Sequence, residues 1–374
     1  MKKILLAPNS FKECSNSIDA SRSLRKILAK SENLLLEELP ISDGGDGFLD
    51  VCSRNFNLDI LTYEVKRPYT NNLTKIRTGY LAREKTLYIE SAEVIGLKYI
   101  PADKRCPSIL NTKGLGDLFK SIIESELNVD KIVLGVGGTG TSDLGLGLCS
   151  AFGLKLYDNF GKETGIIPEN YYSVSSFKWE SVQLPFTIEV IVDVDNPLLG
   201  EKGAIKTFAV QKGANKKELE VLELGFEKLI NLFYNKGLIS SSKNLNGAGG
   251  GLAAGLQVFF DAEIVKSKEL ITNMFLKKLK SFAPDFVITG EGSFDKQSLM
   301  DKGASVIIDI CKSQNIPVFL VCGRIDEDLL RDYSHKVIPI ELQFFFKNER
   351  ESIENFQKGL EFATEKVISY LSGP

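Results

Sequence analysis

Phe286-Val287-Ile288-Thr289-Gly290-Glu291-Gly292 is the stretch on which the fold of this chain turns. Its apolar start reads as a buried strand, and the Gly-Glu-Gly that follows reads as the strand's end. Residues 304–312 carry a helical repeat, and residues 318–321 are a second apolar run before Gly323. Strand, helix and strand in that order build a parallel sheet. The other end of the chain repeats the pattern. Residues 3–7 form a strand, 10–17 a polar loop, 18–29 a helix and 34–39 a second apolar strand. The middle differs, since residues 74–80 and 86–89 alternate like antiparallel strands about a short turn at 82–85. A helix near 117–124, a strand at 131–134 and several glycine-rich loops follow. The expectation is an α/β chain of two domains. A Rossmann-like parallel-sheet domain is built from both termini (residues 1–65 and 281–374), and a mixed α/β domain is inserted between them (66–280). A length of 374 residues fits two cores better than one.

Composition narrows the function. Hydrophobic residues at 43% and charged residues at 25% describe a globular chain. A net charge of −3 supplies no field for nucleic acid, so an anionic ligand must be held by local donors. No run approaches the ~18 apolar residues of a membrane span. The apolar run after Lys2-Lys3 stops at Pro8, too early for a secretory leader. Six cysteines are scattered without a close pair, neither a zinc spacing nor a disulfide framework. Reduced thiols in a cytoplasmic protein, with neither membrane nor nucleic acid as partner, are the expectation. The single histidine, His335, excludes a His-rich metal site and argues against a Ser-His-Asp nucleophile. Carboxylates, lysines, hydroxyls and backbone amides are left to do the chemistry.

Two glycine loops stand out. Gly135-Val136-Gly137-Gly138-Thr139-Gly140 follows an apolar strand and fits the dinucleotide fingerprint, with Asp158 downstream as its acid. The next residues, Thr141-Ser142-Asp143-Leu144-Gly145-Leu146-Gly147, carry too much glycine for the helix that fold requires. The second loop, residues 247–255, runs into an apolar helix. Glycines let backbone amides approach an anion, and a helix N-terminus adds a favourable dipole. Tight packing between elements also demands small residues. Two such loops in one chain favour phosphate. No G-x-x-x-x-G-K-[ST] occurs, so ATP would be held outside the P-loop architecture.

Acidic residues cluster at expected strand ends and glycine turns. They are Asp43-Gly44-Gly45-Asp46-Gly47, Asp143, Asp193-Val194-Asp195-Asn196, and Glu291 with Asp295. In an open α/β sheet such positions lie at the rim where ligands bind. Phosphoryl transfer needs carboxylates there to hold magnesium and to orient the acceptor hydroxyl. Asp beside Gly also simply makes turns and caps. Lys12, Lys113, Lys212 and Lys302 lie in or beside these loops. A solvated surface position is the ordinary fate of each.

These motifs recur together in one family. Residues 7–12 (Ala-Pro-Asn-Ser-Phe-Lys), 43–47, 90–93 (Glu-Ser-Ala-Glu), 112–114, 137–143, 193–200, 211–214 (Gln-Lys-Gly-Ala), 247–252 and 288–292 with Asp295 and Gln297 stand in order. With them the chain resembles the bacterial glycerate kinases of the two-domain type that lack a P-loop, along nearly its whole length. The resemblance implies transfer of the ATP γ-phosphate to a hydroxyl of D-glycerate, usually giving 2-phosphoglycerate and ADP, with Mg2+ as cofactor. It implies a glycerate site at Ser10, Lys12, Asp43, Gly44, Gly45 and Asn196, with Lys12 pairing the substrate carboxylate. Asp193 or Asp195 would orient or deprotonate the acceptor hydroxyl. Gly137, Gly138, Thr139, Thr141, Asp143, Lys212, Gly247, Gly250 and Gly251 would hold the nucleotide, and Glu291 and Asp295 the metal or ribose. The chain departs from the family's usual residues at Asn9 (commonly Asp), Glu13-Cys14 (Gly-Ser), Asp46 (Glu), Ser142 (Asn) and Ser293 (Arg). A kinase of a related small hydroxy acid and a non-catalytic nucleotide-binding homologue are the alternatives. Retention of the acids weighs against the second. Assembly into a homo-oligomer stays open.

Overall fold

The chain divides into two units, each built on its own main sheet. The computed structural model describes all residues except 12–13, 241–243, 296–297, 299–302, 327, 330–335 and 373–374. Lys12, Glu13, Gln297, Lys302 and His335 therefore lie outside the described residues.

The first unit comprises Met1–Asp43 and Ser267–Pro374. Its strands are β1 (Lys2–Leu6), β2 (Leu34–Glu38), β12 (Phe286–Phe294), β13 (Val318–Ile325) and β14 (Val337–Glu341), ordered β14-β13-β12-β1-β2. All neighbours are parallel. Strand residues alternate between faces, and each face has its helices. Ile4 and Leu6 pack with Leu24 and Leu28 of α1 (Ser17–Leu28) and with Leu360 and Val367 of α12 (Phe356–Ser372). Leu5 and Ala7 pack with Ile271 and Phe275 of α9 (Ser267–Phe282) and Ile307 of α10 (Gly303–Ser313). The short α11 (Glu349–Glu354) precedes α12. Asn16 caps α1 by accepting from the Asp19 amide at 2.8 Å. Counted along this unit the strand order is 2-1-3-4-5, a doubly wound order whose topological switch lies between β1 and β12.

The second unit is continuous, Gly44–Lys266. Its main sheet holds β3 (Asp59–Lys66), β4 (Leu73–Leu81), β5 (Thr86–Glu90), β6 (Lys131–Gly135), β10 (Thr187–Val192) and β11 (Glu263–Lys266), ordered β11-β10-β6-β5-β4-β3. The first four of that order run parallel, and β5, β4 and β3 form an antiparallel meander. The alternation and turn expected at 74–89 are the β4–β5 pair, with Lys85 at φ 47 closing the turn. Around this sheet lie α2 (Phe48–Phe56), α3 (Ala92–Ile95), α4 (Lys113–Glu124), α5 (Leu146–Ala151) and α8 (Leu252–Phe259). A small sheet of β7 (Lys155–Asp158), β8 (Glu163–Thr164) and β9 (Val174–Lys178) shares a further core with α7 (Lys216–Asn235) and the short α6 (Ala204–Phe208). Leu156, Val174, Ile205, Phe226 and Phe233 meet in that core.

Two boundaries differ from those read in the sequence. Residues 44–65 lie with the mixed sheet, because β3 pairs with β4 from Asp59 to Lys66. Helix α9 lies with the parallel sheet, because Ile271, Phe275 and Leu279 are buried there. Strand β12 also runs past its expected end, through Gly290-Glu291-Gly292 to Phe294. A Cβ at Gly290 would fall 1.7 Å from the Val321 carbonyl oxygen, so this glycine permits close approach of β13 and does not stop the strand. Among the described residues no helix is long and apolar enough to cross a membrane.

Candidate active site

In the first unit the chain leaves β1 at the switch point. The Asn9 amide donates to the Gly290 carbonyl at 2.8 Å, and Thr289 Oγ1 donates to the Ala7 carbonyl at 2.8 Å. Asn9 is buried. Its Nδ2 donates to Asp43 Oδ2 at 2.6 Å, and its Oδ1 accepts from the Ser10 amide at 2.8 Å. The other Asp43 oxygen accepts from the Gly303 amide, which opens α10, at 3.1 Å. Asp43 is thus oriented from both sides, with a neutral donor where a second carboxylate would repel it. Ser10 lies half-buried beside this pair. Glu291 sits within β12 opposite Cys322, and Asp295 directly follows the strand. Burial and the nearby Glu291 and Glu341 carboxylates push the Cys322 thiol well up, so it is inert. Among the described residues no three His, Cys, Asp or Glu side chains converge on a cation site. Glu291 and Asp295 offer hard carboxylate oxygens, which suit Mg2+ when substrate phosphates and water complete its shell.

In the second unit the two glycine loops meet on one lysine. Lys212 is 3% exposed. Its Nζ donates to the Thr141 carbonyl at 2.7 Å and reaches Thr139 Oγ1 at 3.4 Å. A Cβ at Gly250 would fall 2.1 Å from that same Thr141 carbonyl and 2.9 Å from Lys212 Nζ. Only glycine leaves room there for the ammonium. Gly249, Gly250 and Gly251 all adopt positive φ, and α8 begins directly after them. Burial pulls the Lys212 pKa down to about 8, against the opposing field of Asp143.

Neighbouring motifs brace this centre. The Gly247 amide donates to the Asn196 carbonyl at 2.9 Å, and Asn246 Nδ2 to the Val194 carbonyl at 3.1 Å. The 193–200 segment is thereby stitched to the 247–251 loop. On the other side a Cβ at Gly137 would fall 2.5 Å from Gly45 Cα, so the Gly44-Gly45 turn packs directly on the first glycine loop. The structure thus brings together Gly44, Gly45, Gly137, Gly138, Thr139, Thr141, Lys212, Gly247, Gly250 and Gly251.

Several expected ligands have other duties. Asp143 is fully buried, accepting from the Thr112 amide (2.7 Å) and hydroxyl (2.8 Å) and from the Gly145 (3.2 Å) and Gly147 (3.0 Å) amides. Burial raises its pKa although these four donors oppose the shift. Asp143 therefore braces the loop from behind, a correction to its reading as a nucleotide contact. Asn196 Nδ2 is spent on the Lys202 carbonyl at 2.7 Å. Asp195 is exposed and pairs with Lys266 at 2.7 Å, leaving Asp193 as the less exposed acid of that pair. Lys113 forms an exposed helical pair with Asp117 at 2.7 Å.

One group went unassigned in the sequence. Lys98 bridges Asp46 at 2.9 Å and Glu90 at 3.2 Å, and Glu90, 1% exposed, also accepts from the Leu49 amide. Burial raises the Glu90 pKa while Lys98 opposes the rise. A Cβ at Gly138 would fall 3.0 Å from Asp46 Oδ1, so this network buttresses the first glycine loop. The Glu-Ser-Ala-Glu motif ending a strand was the available signal, but Lys98 carries no motif of its own.

Acids at the switch point of one unit, and a buried lysine between glycine loops in the other, define an α/β phosphate-handling protein outside the P-loop class. A profile of the glycerate kinase family matches residues 4–372, and the chain belongs to that family. Among curated relatives, a glycerate kinase of Neisseria meningitidis serogroup B is 32% identical over 337 residues, 87% of each chain. A glycerate 2-kinase of Escherichia coli K12 is 28% identical, covering 90% of this chain and 88% of its own. A crystal structure from Salmonella typhimurium LT2, whose protein carries the provisional name glycerate kinase 2, superposes with a TM-score of 0.77 over 100% of both chains. At 24% identity that last likeness speaks to the fold.

Proposed function

We propose that this protein transfers the γ-phosphate of ATP to a hydroxyl of D-glycerate, giving 2-phosphoglycerate and ADP. The observation that carries the reading is the meeting of the two glycine loops on Lys212, a buried ammonium with no ion-pair partner among the described residues. An uncompensated buried cation is costly unless an anion answers it. Backbone amides of both loops and the α8 N-terminus offer further donors to phosphate.

The acceptor side is assigned to the switch point of the first unit. Asp43, fixed by Asn9 and Gly303, would orient a glycerate hydroxyl, with Ser10 and Lys12 toward its carboxylate. Asp193 is the preferred base for the hydroxyl that attacks, since it is the less exposed of the two acids. Glu291 and Asp295 would hold Mg2+, which when bound neutralises charge on the phosphate oxygens. The E. coli relative's name supports position 2 of glycerate as the acceptor. All six cysteines are thiols, which supports a reducing, cytoplasmic setting.

Purified protein with Mg2+, ATP and D-glycerate should release ADP at roughly 1–100 per second, far above a blank without glycerate. Phosphorus NMR of the product should show the 2-phosphate. Folded, ATP-binding protein that releases no ADP with D-glycerate would refute the assignment. A second reading, a kinase of a related hydroxy acid, is favoured by one feature, the neutral Asn9 beside Asp43. Turnover with another hydroxy acid in place of glycerate would establish it.

A further inference from the structure

Lys212 has more hydrogen-bonding capacity than its surroundings use. An ammonium has three donors and no acceptor. One is spent on the Thr141 carbonyl, and a second makes a long contact of 3.4 Å with Thr139 Oγ1. The Thr141 hydroxyl, fully buried, has no hydrogen-bond partner among the described residues. Two polar groups where the glycine loops meet are therefore underused among the described residues, in a place where burial makes that expensive. Among the described residues Asp143 is the one charged side chain whose field reaches Lys212, and its oxygens are already held by Thr112, Gly145 and Gly147.

The geometry points to Lys212 as the residue that meets the phosphate chain of ATP, taking up a proton as the nucleotide binds. This rests on the ATP-dependent reading above and deepens it, giving the nucleotide a named cation and a linked protonation. Burial lowers the lysine's pKa to about 8, so without nucleotide it is an ammonium at pH 7 and largely neutral at pH 9. A phosphate between the loops replaces the missing counter-charge and favours the ammonium. The Thr141 hydroxyl gains its partner in the same step. By linkage, affinity is full below the free protein's pKa and falls as pH rises through it, until the pKa of the complex is reached. The contact belongs to the phosphates, so the adenosine part of the ligand should not sense it.

The test is calorimetric titration of the full chain with ATP and with adenosine, at pH 7.5 and 9, in two buffers of different ionisation enthalpy. Both pH values lie above the second ionisation of a phosphate ester, near 6. The expected result is uptake of nearly one proton per ATP at pH 9, with ATP affinity roughly tenfold weaker than at pH 7.5. Lys212→Met should abolish the proton uptake and weaken ATP at least tenfold at pH 7.5 while leaving adenosine affinity unchanged. Absence of proton uptake by the unmodified protein at pH 9 would overturn the proposal whether or not the variant folds. Equal weakening of ATP and adenosine in Lys212→Met would reduce the lysine to a structural clamp and overturn it too. The titration contains no glycerate, so a wrong acceptor assignment leaves this result intact.

Discussion

Gly250→Ala tests the contact on which the nucleotide site rests. Gly250 sits at φ +71, and an added Cβ would lie 2.1 Å from the Thr141 carbonyl oxygen and 2.9 Å from both Ser142 Cα and Lys212 Nζ. The left-handed backbone alone costs an L-residue about 1–2 kcal/mol. The clash adds to this, because a backbone carbonyl cannot swing aside as a side chain can. Overpacking of that kind costs about 1–3 kcal/mol, for a total of about 2–5 kcal/mol. Gly161 supplies the control, with φ +75 and no heavy atom within 4 Å of where a Cβ would stand. Gly161→Ala should lose only the backbone part, about 1–2 kcal/mol. Urea midpoints at equal slope should therefore separate the two variants by about 1–3 kcal/mol. Because Lys212 is bonded to the displaced Thr141 carbonyl, Gly250→Ala should also raise KM for ATP at least tenfold, with a smaller change for glycerate. Equal stability of the two variants, with KM for ATP unchanged, would refute the claim that the loops close on one another at this glycine.

Other expectations follow from the same geometry. Lys98→Met leaves the buried Glu90 without its cation and should cost about 1–3 kcal/mol, most of it recovered when Glu90→Gln is added; denaturation of the three variants as a double-mutant cycle would expose a lack of coupling. Asn9→Asp would set two carboxylates 2.6 Å apart and force them to share one proton. In that variant kcat/KM should therefore fall as pH drops through about 7 to 5, an acid-side limb absent from the parent. Lys212 also makes stability depend on pH. Its folded pKa of about 8 lies below the ordinary 10.5, so the unfolded chain binds more protons between these values. Stability of the nucleotide-free protein should therefore rise from pH 8 toward 10.5, by about 3 kcal/mol in full. Subtracting the denaturation curves of Lys212→Met isolates that slope, and parallel curves for the two proteins would contradict it.

Periodicity made part of this fold legible. Alternation at residues 74–80 and 86–89 with a turn between them gave β4 and β5, although only β4 has a more exposed face and β5 is buried throughout. Strand β3 carried the same signal at Leu61, Tyr63 and Val65, but nothing local says which sheet a strand will join. The repeat at Ile271, Phe275 and Leu279 marks a helix without saying which core it covers. Gly290 misled for a different reason. Glycine is read as a breaker, whereas here it admits the neighbouring strand, a relation between residues 290 and 321 that no window contains. In the site, glycine loops are visible in sequence because their backbone demands are local. Burial is a tertiary outcome, and it is burial that separates Asp143 as a brace from Asp193, and Lys212 from the exposed Lys113.

The doubly wound sheet has a consequence for how the chain is made. Strand β1 is central, flanked by β2 on one side and β12 on the other, and the Lys3 amide bonds to Asp285, 282 residues away. During synthesis β1 and β2 emerge first, yet the far edge of β1 must wait for the whole Gly44–Lys266 unit to be translated. At about 5–20 residues per second that interval is roughly 10–45 s. An unpaired, apolar strand edge held open that long is a template for wrong pairing. The continuous second unit can close its own core meanwhile, so the nascent chain passes through a stage in which the glycine loops are folded and the parallel sheet is not. Expression conditions that slow elongation should lengthen that stage, and with it the demand on chaperones that shield residues 1–43.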